Sequence, residues 1–343
     1  MVSLHNIRDN GTLVIAQGEK VYKTIAVNEL AVTNLLLKIL NPRKKIIYYS
    51  VGHNELSLTD KNPVGGDFLR EKMLDSQYVL KSLELQSGIP SDASAVIILN
   101  PQIEFLPVEI KNLEEYLSKG GGILTTLSPH FNGVMIKNYL NFLNDLGAEF
   151  YNGIILDRLA SQQGSQASIP VVNNYAKHKI TDNFTGRSLY PISSFFKLSN
   201  HSIEWTSLVN STPFPGSWGE NDFDEVKSGT AKFDEMTDEK GPLTILAAGE
   251  SEENGSRVFI SSSTHFIINQ FQGQTNNFNL FLNALSWVVK EEALMSLNRP
   301  TLNGNLVYIS EIHLSVIFYF VILIFPFLLF GISIYFYRKK LSR

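Results

Sequence analysis

The stretch LSVIFYFVILIFPFLLFGISIYFY, Leu314 to Tyr337, contains no charged side chain. A helix rises about 1.5 Å per residue, so a run of that length crosses the ~30 Å hydrocarbon layer with tilt to spare. A core helix rarely needs so long an uninterrupted apolar run. Pro326 and Gly331 are tolerated in a membrane helix, where neighbouring groups re-satisfy the backbone. Tyr335 and Tyr337 sit at interfacial positions, and Arg338, Lys339, Lys340 and Arg343 follow. That basic flank predicts a cytoplasmic C-terminus and an outer location for everything before His313.

A large domain on the outer side needs a signal or an upstream membrane helix to cross. The opening MVSLHNIRDNGTLVIAQG has no apolar core of the required length. The expectation is a further N-terminal segment upstream of Met1.

The region before the apolar run alternates strand and helix patterns. TLVIAQG and VYKTIAV read as a hairpin, and Asn28–Leu40 as a helix stopped by Asn41-Pro42. KKIIYYSV, YVLKSLEL, ASAVIILN, ILTTLS and EFYNGIIL read as strands, with GGDFLREKMLDSQ and VMIKNYLNFLNDLG as helices between them. PVEIKNLEEYLSKGGG is a helix with Pro107 at its start and Gly120–Gly122 at its end. Strands alternating with helices imply a parallel sheet covered on both faces. The predicted fold class is therefore α/β, a doubly wound, mostly parallel sheet of flavodoxin-like or Rossmann-like type.

The chain divides into residues 1–42, an N-terminal hairpin and helix on the core, residues 43–312, the outer α/β domain, and residues 313–343, the membrane helix and basic tail. Within the α/β domain the core is expected over 43–160, an irregular, turn-rich and acidic insert over 161–240, and completing strands and a helix over 241–292. In the helix Asn276–Glu292, Phe278, Phe281, Leu282, Leu285, Val288 and Val289 make one apolar face.

Composition narrows the chemistry. A net charge of −4 argues against a general nucleic-acid binder. The chain has no cysteine, which removes disulfides, thiolate metal sites and cysteine nucleophiles. No G-x-x-x-x-G-K-[ST] loop is present, so the chain is not itself an ATPase, and the Gly120–Gly122 run follows a helix, the wrong order for a dinucleotide turn. No cofactor is expected.

In an open parallel sheet, ligands bind beyond the carboxyl ends of the strands. The strand ends supply His53, Asn54 and Glu55, then Asn100, then Ser128 and His130, and finally Ser263 and His265 in the polar run Ser261–His265. No H-x-x-x-H or H-E-x-x-H spacing supports a metal site, and no G-x-S-x-G elbow supports a serine nucleophile. Two readings remain. Ser263 and Thr264 cap the following turn while the histidines fill polar edges, or the Ser261–His265 run lies beside His53 and Glu55 in a non-catalytic ligand or partner crevice.

The order of these motifs resembles the gliding-motility-type auxiliary components of ABC-2-type transporters. The likeness rests on YYSVGHNE, on the block IPSDASAVIILNPQIEFLPVEIKNLEEYLSKGGGILTTLSP, on SWGENDFDE and DEKGPLTILAAGE, and on NNFNLFLNALSWV before the apolar run. It adds Trp218 and Glu220 to the candidate ligand or partner residues. The family often has Gly where Asn54 stands and Asp where Ser128 stands. Asn still reaches the left-handed turn conformation, but losing the carboxylate at Ser128 weakens any shared acid chemistry. The resemblance implies an amidotransferase-like α/β fold, though with no cysteine to act as nucleophile. It also implies a non-enzymatic accessory subunit in the bacterial inner membrane with its large domain periplasmic. The implied partners are a separate permease and ATPase, with an envelope glycan or protein as a further ligand. An outer-domain hydrolase or glycan-binding module is the alternative.

Overall fold

The computed structural model describes residues 13–17, 20–24, 32, 45–291 and 318–341, except 134–135, 163–165, 183, 185 and 274–275. Strands β1 (Leu13–Gln17) and β2 (Lys20–Thr24) pair antiparallel, as the hairpin pattern predicts. The helix expected over Asn28–Leu40 lies outside the described residues apart from Val32. From there the order follows the sequence pattern: β3 (Ile46–Ser50), α1 (Asp67–Asp75), β4 (Val79–Leu83), β5 (Ala93–Leu99), α2 (Pro107–Ser118), β6 (Gly122–Thr126) and α3 (Lys137–Asp145). Pro107 opens α2, where a missing N–H costs nothing, and Gly120 at φ +80° ends it.

The second half departs from the reading. EFYNGIIL is not one strand; Asn152 and Gly153 turn the chain between β7 (Ala148–Tyr151) and β8 (Ile154–Asp157). Beyond α4 (Arg158–Gln162), the stretch read as irregular holds β9 (Val171–Val172), β10 (Ser188–Leu189), β11 (Phe195–Leu198), β12 (Glu204–Asn210), β13 (Ser217–Glu220), α5 (Phe223–Ser228) and β14 (Glu239–Lys240). Most of these strands are too short for alternation to show. They pair with strands distant in sequence, which a local pattern cannot reveal.

The chain then forms β15 (Thr244–Glu250), β16 (Arg257–Ser261) and α6 (Asn277–Val288). The central sheet runs β4-β3-β5-β6-β16-β15-β11-β7, with β12 also pairing β15. From β4 to β16 neighbours are parallel, in the doubly wound order expected of a flavodoxin-like sheet. β15, β11, β7 and β12 extend it antiparallel. The fold is thus α/β around a largely parallel sheet, whose parallel part β16 completes beside β6. A separate three-stranded sheet, β14-β13-β8, flanks it.

Period-two burial places the core on both faces. Along β5, Ala95, Ile97 and Leu99 face one cluster with Leu69 and Met73 of α1 and most of α6. Val96 and Ile98 face the other, with Leu113 and Leu117 of α2 and Tyr139, Phe142 and Leu143 of α3. All six residues of the predicted apolar face near α6 are buried. So are Asn277, Leu280, Asn283, Ala284, Ser286 and Trp287, so α6 is an interior helix rather than an amphipathic one.

At the C-terminus, a π-helical turn, Phe320–Ile324, leads into α7 (Phe325–Leu341). Among the described residues, no helix is long and apolar enough to cross a membrane. Residues 314–317 of the expected span lie outside the described residues.

Candidate functional site

The doubly wound order reverses between β3 and β5, and the loops leaving those two strands meet at their carboxyl ends. Leu56 N–H donates to Leu99 O at 2.8 Å, and Gln102 N–H donates to His53 O at 2.7 Å. Gly52 at φ +115° and Asn54 at φ +56° turn the first loop back on itself, and Asn100 at φ +56° does the same for the second. Asn54 therefore does adopt the left-handed turn conformation.

That turn drives His53 inward. Its Nδ1 lies 3.3 Å from Glu55 Oε1 and its Nε2 lies 3.1 Å from Glu109 Oε2. The ring stacks on Phe105 at a centroid distance of 4.0 Å and 2° between planes, and Phe105 in turn stacks on Tyr139 at 4.6 Å. The imidazole and both carboxylates are buried, at 7%, 7% and 6% side-chain exposure. Burial alone would lower the His53 pKa, but its hydrogen bonds to Glu55 and Glu109, with their charge, raise it above the ordinary histidine value. Burial pushes Glu55 up, yet the hydrogen bond to His53 and further hydrogen bonds outweigh it and lower the pKa. The raised pKa favours the imidazolium form of His53, which sits between the two side chains.

Sequence reasoning found His53 and Glu55 but missed Glu109 and Phe105. Glu109 lies in the first turn of α2, and Oε2 also accepts from Leu106 N–H at 2.8 Å. A carboxylate three residues after a helix cap is a legible signal for that contact. Nothing local shows its second partner, His53, 56 residues earlier.

The hydroxyl run Ser261–His265 is a second, separate cluster. β3 and β16 are separated by β5 and β6, three strand spacings or roughly 14 Å. The side-chain hydrogen bonds of the run go to β6 and to the segment before β11, and none goes to His53 or Glu55. Its hydroxyls do not cap the next turn either, since Thr264 makes no side-chain cap there. They bond sideways instead. Ser262 Oγ donates to Ser194 O at 2.7 Å, Ser263 Oγ donates to Pro191 O at 2.7 Å, and Thr264 Oγ1 pairs with Thr126 Oγ1 at 2.8 Å. Ser261 Oγ donates to Ser263 O at 2.8 Å. These bonds tie the end of β16 to the segment before β11 and to β6, a polar seam with every hydroxyl used.

Ser128 and His265 do meet, at 3.5 Å between Oγ and Nδ1, and Ser128 Oγ also accepts from Thr264 N–H at 3.1 Å. His130 is held elsewhere: its N–H donates to Asn152 Oδ1 at 2.7 Å, and Asn152 Nδ2 donates to its carbonyl at 3.0 Å. Burial lowers the pKa of both His130 and His265. Trp218 and Glu220 lie on β13, in the flanking sheet. Trp218 Nε1 donates to Glu220 Oε2 at 3.2 Å, and Arg158 covers the indole at 4.9 Å. Burial, with Asp238 nearby, raises the Glu220 pKa. Nine of the ten candidate residues thus fall into three groups, and His130 stands apart, bound to Asn152. Among the described residues, no three His, Cys, Asp or Glu side chains are grouped to hold a metal ion.

A profile of the family described as an ABC-type uncharacterized transport system matches residues 43–290. The chain belongs to that family. It is an auxiliary component of an ABC-type transport system, and the matched residues contain all three groups just described. Of solved structures, the mmIFT52 N-terminal domain is similar at 16% identity and a TM-score of 0.53, over 71% of this chain and 97% of that one. A putative ThuA-like protein from Bacteroides uniformis is similar at 17% identity and a TM-score of 0.43, over 71% and 91%. One from Parabacteroides merdae gives 10% and 0.43, over 72% and 90%. At such identities the first likeness shows a shared fold alone. No curated protein matches the sequence.

Proposed function

We propose that this ABC-system auxiliary component is a membrane-anchored, non-catalytic subunit of an ABC-2-type, gliding-type export complex, with its α/β domain on the outer side of a bacterial inner membrane. The domain docks a transporter permease or a further envelope protein through the carboxyl edge of its sheet. The observation that carries the reading is the state of that edge. The crevice where a doubly wound sheet would take a small ligand is filled by the mutually paired His53, Glu55 and Glu109, with Phe105 beneath. On the segment that carries Phe105 and Glu109, Ile103, Leu106 and Val108 are exposed at 52%, 51% and 46%, and Phe131, in the loop after β6 and packed on Phe223, is exposed at 55%. An edge whose switch-point crevice is occupied by its own paired side chains, and that carries exposed apolar side chains, suits a protein surface.

The anchor is supported by the uncharged run with its basic flank, and by the surface of the C-terminal helix. Phe325, Phe327, Phe330, Ile334 and Tyr337 are all exposed there, an arrangement suited to lipid. Crosslinking in membranes, followed by extraction in mild detergent and identification of bound subunits, tests the proposal. Recovery with a permease and an ATPase supports it; recovery as a monomer after crosslinking refutes it.

A hydrolase reading draws on the Ser128–His265 pair. The pair's spacing of 3.5 Å is long for proton transfer, and Ser128 is 4% exposed. Hydrolysis of a glycan or ester that is abolished by Ser128→Ala would favour it over docking.

A further inference from the structure

Two carboxyl groups face each other at one end of the flanking sheet. β13 and β14 pair antiparallel, with Trp218 opposite Lys240 and Gly219 opposite Glu239. Continued by one residue, that register sets Glu220, the last residue of β13, opposite Asp238. Side chains directly opposite on one face stand about 5 Å apart at Cβ. The surrounding bonds agree. Asn221 N–H donates to Asp238 Oδ1 at 3.4 Å, and the next amide, Asp222 N–H, donates to Glu220 Oε1 at 3.0 Å. Asp234 N–H donates to Asp238 Oδ2 at 2.8 Å. The two carboxyl groups also hydrogen-bond to each other, which needs a proton on one of them.

No cation neutralises the pair. Glu220 is 2% exposed, and among the described residues no lysine, arginine or histidine pairs with it or with Asp238. The cations of this sheet are committed elsewhere. Lys240 Nζ lies 2.7 Å from Glu235 Oε1, Lys197 Nζ lies 3.0 Å from Glu239 Oε2, and Arg158 covers the Trp218 ring. The neighbouring carboxylates serve as caps: Asp222 Oδ1 accepts from Asp224 N–H and Glu225 N–H, and Asp234 Oδ1 accepts from Met236 N–H. On the other flank of β13, the residue opposite Glu220 is Ile154 of β8. Two carboxyl groups this close do not both ionise readily without a counter-charge.

The pair closes the excursion 221–238, which leaves β13 and returns as β14. This lobe lays Phe223, Val226, Ala231 and Phe233 over Ile154, Leu156 and Trp218, yet α5 has no fully buried residue. A segment with so little core of its own opens at low cost. Phe223 also rests on Phe131 at a centroid distance of 5.0 Å, so opening changes the surface of the loop after β6.

We infer that Glu220 and Asp238 share one proton, that this proton clasps residues 221–238 onto the flanking sheet, and that the lobe loosens when it leaves. Folding raises the Glu220 pKa above the ordinary 4.5, through burial first and Asp238 second. Closure is therefore complete below that value and is lost as pH rises through the folded pKa. The clasp belongs to the flanking sheet and holds whatever the carboxyl edge docks.

Hydrogen exchange of the full chain in mild detergent, read by mass spectrometry as protection factors at pH 5 and pH 8, tests it. Each unit of raised pKa is worth about tenfold in opening, so peptides within 221–238 should be at least about threefold better protected at pH 5. Glu220→Gln keeps a donor beside Asp238 at every pH and should abolish the difference. Asp238→Asn should do the same from the other side of the pair. Equal protection of the native lobe at both pH values, or a difference that survives in both variants, overturns the inference. Protection that follows added calcium rather than pH assigns the pair to a metal ion and overturns it as well.

Discussion

Replacing His53 by alanine strips the cation from two buried carboxylates. Glu55 and Glu109 are 7% and 6% exposed, so water reaches neither well. Deleting one partner of a buried ion pair costs about 3–5 kcal/mol, and losing the ring stack on Phe105 adds about 1 kcal/mol. Proton uptake by one carboxylate limits the total, so about 3 kcal/mol is expected near pH 5.5. The loss must also depend on pH. Because the fold raises the His53 pKa above the ordinary 6.5, its contribution is complete below that value and is lost as pH rises through the folded pKa. Because the fold lowers the Glu55 pKa below the ordinary 4.5, its contribution is complete above that value and is lost as pH falls through the folded pKa. The difference between native chain and variant is therefore largest between those two values and shrinks toward pH 9. Urea unfolding of both proteins in mild detergent, followed by tryptophan fluorescence at pH 5.5 and pH 9, measures it. A loss under about 1 kcal/mol at pH 5.5, or an equal loss at both pH values, refutes the view that charge holds this cluster together.

Arg257 donates to Glu250 at 2.8 Å and to Trp287 O at 2.8 Å, and it covers the Trp287 ring at 4.9 Å. Arg257→Ala should cost about 2–3 kcal/mol by the same unfolding assay, and Arg257→Lys should recover only part of it. Gly147 turns α3 into β7 at φ +91°, and a Cβ there would meet the Ser199 carbonyl oxygen. Gly147→Ala should destabilise by about 3 kcal/mol, whereas alanine at Gly133, which has open space around it, should cost about 1 kcal/mol. Protease added to intact spheroplasts should digest the α/β domain and spare residues 338–343; cleavage of that tail from outside contradicts the proposed orientation.

The half of the fold built from local signals was legible in the sequence. Pro107, the Gly120–Gly122 stop and the apolar runs of β3, β5 and β6 mark their elements within a few residues, because each reports its own backbone or burial. β11 and β12 were not legible. Their partners, β7 and β15, are far along the chain, and pairing of that kind leaves no periodic trace in a four- to seven-residue strand. The same limit governs the site. The GHNE turn announces His53 and Glu55 through its Gly52 and Asn54, but only the converging loops bring Glu109 to the ring. The hydroxyl run looked like chemistry because sequence shows the donors and hides the acceptors. Ser194 O and Pro191 O, which consume Ser262 and Ser263, lie 68 and 72 residues away.

The proposal that the carboxyl edge is a docking face is tested most directly by photo-crosslinking in intact membranes. A photoreactive residue is placed singly at Ile103, at Phe131, and at Glu252 on the opposite edge as a control. All three positions are exposed, so the probes need not disturb the core. The account predicts adducts from 103 and 131 that contain a transporter subunit or a further envelope protein, with none of that mass from 252. Absence of adducts at 103 and 131, or the same adduct from all three positions, would contradict it.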